Sequence, residues 1–188
     1  MTQLGFLFDP SRCFGCQGCV AACVNTNGTP PDLFWRRVHK LPPEPNDSHT
    51  QYLSISCNHC ENAPCVAACP AEALRKRPED GIVVHDATVC LGCRYCQMAC
   101  PYNAPQWDEA RGVISKCNLC VERLDQGLEP ACVATCFAGA LQLIQLDEGR
   151  EAWVKEAPGL CHLPKAKPSI RFTSQPPENF PPAMTELP

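Results

Sequence analysis

The chain has 188 residues, a formal charge of −4 and 17 cysteines, a length that bounds it to one compact domain or two small ones. No apolar run approaches the ~18 residues needed to cross a bilayer, and the acidic balance argues against nucleic-acid binding. Met1–Asp9 lacks a basic start followed by an apolar stretch, so no secretory signal is expected here.

In chain order, Gly5-Phe-Leu-Phe-Asp9 reads as a short strand ahead of a first cysteine group, Cys13-x2-Cys16-x2-Cys19-x3-Cys23. Asn25 to Pro31 reads as a turn or loop from its Asn, Gly and Pro content, and Leu33 to Val38 as a further strand. Arg36 and Arg37 could lie near a metal centre, but a solvated or partner-facing pair is the expectation. Leu41 to Thr50 is Pro-rich and polar, hence a linker. Tyr52-Leu-Ser-Ile-Ser56 alternates apolar and polar residues, the period of a half-buried strand.

Two central groups follow, Cys57-x2-Cys60-x4-Cys65-x3-Cys69-Pro70 and Cys90-x2-Cys93-x2-Cys96-x3-Cys100-Pro101. The latter is the bacterial ferredoxin pattern, in which three close cysteines hold one iron–sulfur cluster and the fourth, before proline, reaches to another. The reason is geometric: Cys-x2-Cys-x2-Cys curls the backbone round three corners of a cubane and aims amide N–H groups at the sulfurs. The next cysteine leaves on the far side of the curl, and proline ends the turn. Val24 stands where the central groups have proline, which changes where the helix stops and leaves the ligand spacing intact. Leu74–Arg77 and Ile82–His85 flank Pro78-Glu-Asp-Gly81, a hairpin signal. His59 lies between two cysteines of a complete set, so hydrogen bonding to a cluster is expected of it rather than ligation.

The last group is split: Cys117-x2-Cys120, an insertion carrying Glu122 to Pro130, then Cys132-x3-Cys136. Phe137 replaces the trailing proline, and Ala140 to Leu146 reads as a closing strand. Four groups of four cysteines, at 13–23, 57–69, 90–100 and 117–136, thus repeat along the chain. They pair most simply as a nested set, the central two as one module and the outer two as a second that embraces it. Disulfides are the first alternative, since the cysteine content reaches that of secreted frameworks, but no signal sends the chain to an oxidising compartment. Zinc is the second, yet zinc sites rarely use a tight triple with a trailing Cys-Pro. No nucleotide-binding glycine motif, Ser-His-Asp arrangement or open metal site is present, so electron transfer is expected rather than catalysis.

The four-group layout, Leu53-Ser-Ile-Ser-Cys-Asn-His-Cys60, Cys93-Arg-Tyr-Cys-Gln-Met-Ala-Cys-Pro101 and Lys116-Cys117 closely resemble the iron–sulfur B subunit of bacterial dimethyl sulfoxide reductase and its polysulfide, thiosulfate and nitrate reductase relatives, over about residues 4 to 146. The resemblance implies an α+β fold of two interlocked ferredoxin-like halves, the outer from residues 1–48 and 110–146, the inserted central one from 49–109. It implies four 4Fe–4S clusters in a row. Cys13, Cys16, Cys19 and Cys136 would hold one, and Cys23, Cys117, Cys120 and Cys132 the next. Cys57, Cys60, Cys65 and Cys100 would hold the third, and Cys90, Cys93, Cys96 and Cys69 the fourth. Some relatives lose a cysteine at the position of Cys93 and hold a 3Fe–4S cluster; this sequence has no such gap. The implied role is electron transfer between a quinol- or quinone-reactive membrane anchor and a molybdopterin catalytic subunit, peripheral on the cytoplasmic membrane. The alternative is a free-standing soluble polyferredoxin. Residues 147–188 are Pro-rich, with scattered Trp153, Phe172 and Phe180, and are expected to form an extended arm that orders on a partner. Cys161 lies there, outside every repeat, and is expected to be a bystander thiol.

Overall fold

In the computed structural model of the chain, residues 2–41, 50–146, 153–155 and 165–173 are described. The strands are β1 (Leu4–Phe8), β2 (Arg37–Lys40), β3 (Tyr52–Ile55), β4 (Leu74–Lys76), β5 (Val83–His85), β6 (Gln106–Asp108), β7 (Val113–Ser115), β8 (Leu141–Gln145) and β9 (Ile170–Phe172). The helices are α1 (Gly18–Asn27), α2 (Pro64–Ala67), α3 (Tyr95–Ala99), α4 (Val121–Leu124) and α5 (Ala131–Ala134). Together they make the mixed helix and strand composition that the cysteine repeats lead one to expect.

The two ends of the cysteine-bearing region meet in one sheet. β1 and β8 run antiparallel with Leu4 opposite Gln145 and Phe8 opposite Leu141, because both segments carry apolar residues that need burial: Phe6, Phe8 and Leu141 are all buried. Three two-stranded hairpins, β2–β3, β4–β5 and β6–β7, make up the other sheets. The β4–β5 hairpin was legible from its turn, where Gly81 takes φ 71° and its N–H donates to the Arg77 carbonyl at 3.0 Å. The β6–β7 hairpin was not anticipated. Its turn depends on Asp108, whose Oδ1 accepts from the Arg111 amide at 3.1 Å.

In the first three cysteine groups helix length follows the residue after the fourth cysteine, whereas α5, ahead of Phe137, spans only 4 residues without a proline. With Pro70 and Pro101 in place, α2 and α3 end within 4 and 5 residues. Val24 can donate and fits a helix, so α1 runs 10 residues to Asn27, where Gly28 in the left-handed region caps it. The loop expected from Asn25 therefore begins only at Gly28. The strand expected over Leu33–Val38 lies instead at Arg37–Lys40, paired with β3 so that Val38 faces Ser54. Upstream of it the chain turns inward: the Leu33 amide bonds the Pro30 carbonyl, and Trp35 Nε1 donates to Ser115 Oγ at 2.7 Å.

The expectation for the tail needs correcting. Residues 170–172 form β9, parallel to β1 with Phe6 opposite Ile170, and Val154 and Phe172 exchange backbone hydrogen bonds of 2.9 Å. These parts of the tail order on this chain's own sheet; Cys161 and Phe180 lie outside the described residues. The cause is apolar burial. Phe172 is 0% exposed and meets Phe8 edge-on, with ring centroids 6.3 Å apart, and burying such a side chain stabilises by about 1.5–3 kcal/mol. Gly5 makes the approach possible, since a Cβ there would stand 2.1 Å from the Ser169 carbonyl oxygen.

Candidate metal centres

The sixteen described cysteines are all free thiols, and the fold gathers them into four quartets. The charges acting on Cys13 are those of Cys19, Cys136 and Cys16. Cys117, Cys132 and Cys120 act on Cys23; Cys57, Cys100 and Cys65 act on Cys60; Cys69, Cys90 and Cys93 act on Cys96. Each of these sets takes three cysteines from one group and one from another, and charge also acts between sets, from Cys57 on Cys117 and from Cys96 on Cys65. The quartets also follow one another. Cys132 packs in the same apolar cluster as Cys13, Cys19 and Cys136, Cys57 with Cys117, and Cys65 with Cys96, Cys69 and Cys90.

Burial dominates the chemistry of these thiols. It pushes Cys65 up to about 12 and Cys96 to about 11, with the neighbouring sulfurs of Cys57 and Cys69 adding to it. It raises Cys23 and Cys60 further still. Thiols held this way need a strong Lewis acid to ionise, which is what a thiophilic metal supplies. Four groups of four soft sulfur donors fit iron–sulfur clusters. A hollow lined by Cys69, Cys90, Cys93, Cys96, Leu74 and Ile114 lies within the last quartet.

Local backbone geometry produces the curls. Gly15 and Gln17 around Cys16, and Gly92 and Arg94 around Cys93, all have positive φ. Gly92 is required there: a Cβ would lie 2.8 Å from the Gly112 carbonyl oxygen in the β6–β7 turn. That hairpin also supplies Trp107, over which Arg94 stacks at 3.9 Å. The other two curls share a Cys-Asn-x-Cys phrase, with His59 and Leu119 at positive φ, and the Leu119 amide points at Cys117 Sγ from 3.4 Å.

Sequence reasoning missed some neighbours of the sulfurs and set others at the surface. Asn27 Nδ2 reaches Cys23 Sγ at 3.6 Å and Cys120 Sγ at 3.9 Å, a placement that exists only because Val24 lets α1 continue. The Ser54 hydroxyl lies 3.5 Å from Cys19 Sγ. Lys116 is buried, its Nζ donating to the Val83 and Cys117 carbonyls. Arg36, expected to be solvated, is 1% exposed. It turns inward because Ser54 and Ser56 on the β3 side offer their hydroxyls and the ring of Phe6 offers its face. Arg37 is half-buried and donates to the Tyr102 and Asn103 carbonyls, just past Cys100.

His59 is 1% exposed. Its Nδ1 accepts from the Val83 amide at 3.1 Å, and burial, helped by Lys116, Lys76 and Arg36, holds it well below the ordinary histidine range. The neutral ring therefore carries its proton on Nε2, for which no acceptor is found among the described residues.

Residues 48–146, more than half of the sequence, match a family described as a 4Fe-4S dicluster domain, and residues 6–70 match a second family with the same description. The fold and its quartets are thus those of a 4Fe–4S dicluster protein. Over 181 residues, 90% of this chain and 87% of the relative, it is 44% identical to the B subunit of anaerobic dimethyl sulfoxide reductase from Escherichia coli (strain K12). It is 42% identical over 157 residues, 81% of each protein, to thiosulfate reductase electron transfer subunit PhsB of Salmonella typhi. A putative iron-sulfur B subunit of dimethyl sulfoxide reductase from Halobacterium salinarum is 40% identical over 179 residues, 79% of this chain and 68% of the relative. The protein therefore belongs to the family of iron–sulfur electron-transfer B subunits of dimethyl sulfoxide reductase and its relatives.

Proposed function

We propose that the chain carries four 4Fe–4S clusters and passes electrons between a quinol- or quinone-reactive membrane anchor and a molybdopterin catalytic subunit. The observation that carries this reading is the series of quartets. Cys13, Cys16, Cys19 and Cys136 are the ligands of the first centre, and Cys23, Cys117, Cys120 and Cys132 of the second. Cys57, Cys60, Cys65 and Cys100 serve the third, and Cys69, Cys90, Cys93 and Cys96 the fourth. When bound, such clusters supply one-electron chemistry at potentials set by their surroundings. The protein's part is to hold sixteen thiolates in order, exclude water from the middle of the series and offer charges and hydrogen bonds to the sulfurs. It catalyses no substrate conversion by itself.

The pairing of β1 with β8 around the central hairpins supports two interlocked ferredoxin-like halves. A membrane-peripheral position within a complex fits a chain in which, among the described residues, no helix is long and apolar enough to cross a membrane. Exposed apolar side chains at both ends of the series favour a subunit over a free-standing polyferredoxin. Phe14 and Phe137 pair beside the first quartet, their rings 5.3 Å apart, while Leu91 and Met98, 72% and 74% exposed, flank the fourth. Anaerobic purification from the native host should yield roughly sixteen iron and sixteen acid-labile sulfide per chain, together with a molybdenum-containing partner. Stoichiometric zinc, or a chain that purifies alone with full iron, would overturn the cluster or the subunit reading respectively.

A further inference from the structure

Among the described residues, no carboxylate supplies a counter-ion to Arg36. Its guanidinium donates to Ser54 Oγ at 3.1 Å and Ser56 Oγ at 2.9 Å and stands 4.4 Å above the Phe6 ring centre. These three partners are neutral, Arg36 also hydrogen-bonds the Cys132 side chain, and among the described residues no Asp or Glu forms an ion pair with it. Buried charges are paired almost without exception, because an unpaired one has lost its water and gained nothing. The negative charges that act on Arg36 come from Cys132, Cys117, Cys19 and Cys23. Three of these belong to the second quartet and one to the first.

We infer that Arg36 is a potential-setting residue, the fixed counter-charge shared by the first two clusters, which raises the midpoint potential of both. The inference rests on the four-cluster reading. A resident positive charge favours the more negative, reduced state of whatever metal centre lies beside it. One electron enters from the neighbouring donor and no proton is taken up, since the guanidinium stays protonated throughout. Serine and phenylalanine partners hold the cation without neutralising it, whereas a carboxylate partner would cancel the effect. The arrangement lies in the middle of the protein, so its charge is poorly screened by salt.

The test is a redox titration of the full chain, purified with its associated subunits, with the reduced clusters followed by electron paramagnetic resonance. In Arg36→Gln, two of the four signals should move to lower potential by at least tenfold in the reduced-to-oxidised ratio at fixed ambient potential, which is ~59 mV for one electron. Arg36→Lys, which keeps the charge, should move them less, and the other two signals should stay where they are. Ser56→Asp keeps the guanidinium and neutralises it, so it should lower the same two; its carboxylate also stands next to Cys57, so the third midpoint falls with them and the fourth stays. A Gln variant with full iron and four unmoved midpoints, or one in which all four move alike, overturns the inference. Should the Gln variant fail to load iron, Ser56→Asp decides: lowered midpoints support the role, and unmoved ones end it. Absence of four clusters from the wild type would instead overturn the reading on which the inference rests.

Discussion

The two quartets in the middle of the series and the two at its ends are built on different curls in different surroundings. In the middle, Cys23, Cys57, Cys60, Cys65, Cys117, Cys120 and Cys132 are all buried, on Cys-Asn-x-Cys loops, with Arg36, Lys116 and Lys76 near their sulfurs. At the ends, Cys16 and Cys93 are exposed, on Gly-Cys curls ringed by apolar side chains. Exposure and local charge are two of the means by which a protein sets the potential of an iron–sulfur centre. Burial therefore gives the middle sites an internally fixed environment, whereas the exposure of Cys16 and Cys93 leaves the end sites open to what lies beside them.

Ligand replacement should separate the two regions most strongly. Cys117 lies in the core, and metal binding there is folding energy, so Cys117→Ser should prevent accumulation of folded, iron-loaded chain. Cys93→Ser should accumulate normally and lose only about one iron, leaving a 3Fe–4S signature. In the assembled complex it should also abolish quinol-driven reduction while a small dye that donates directly to the catalytic subunit still supports turnover. Equal loss of folded protein in the two variants would remove the distinction between middle and ends.

Aromatic residues offer the next test. Phe172 is 0% exposed in the core that closes the outer sheet, and Phe137 is 80% exposed beside the first quartet. Phe172→Ala should destabilise by about 3–5 kcal/mol, read as an earlier thermal transition with loss of visible absorbance. Phe137→Ala should change stability by less than about 0.5 kcal/mol and weaken association with the partner at that end. Removing residues 164–188 takes β9 away, so it should resemble Phe172→Ala rather than merely loosen the complex. Normal stability of the truncated chain would show that β9 contributes little.

What the sequence disclosed was local. The β4–β5 turn and the later stop of the helix at Val24 each depend on a few consecutive residues, and each is found in the fold. The pairing of quartets across groups came from the family resemblance, because which cysteine crosses over depends on chain path. β9 was missed because its partner strand lies more than 160 residues away and its own surroundings are Pro-rich. Gly5, a glycine inside an otherwise apolar strand, was the available sign that another backbone passes close by. Arg36 was misplaced because surface exposure is the usual fate of arginine. The alternating Ser54 and Ser56 on a strand were the hint that a buried donor needed acceptors.

The smallest expected effect tests whether the buried middle is insulated from pH through the loop that carries Cys100. His39 is half-buried on β2, one strand residue removed from Arg37 with Val38 between them. Burial first and the Arg37 charge second hold its imidazole below the ordinary range. The sign follows from linkage: the unfolded chain takes up a proton near pH ~6.5 while the folded chain resists it, so the contribution is present above that pH and is lost as pH falls towards the depressed folded value. Protonated His39 would repel Arg37, whose Nη2 bonds the Tyr102 and Asn103 carbonyls and so ties β2 to the segment after Cys100. Lowering the pH from 7.5 to 5.5 should therefore accelerate loss of visible absorbance in the wild type more than in His39→Asn, with both alike at pH 7.5. The partial exposure of His39 keeps the difference small. Identical pH dependence in the two proteins would mean that protonation near β2 does not reach the Cys100 loop.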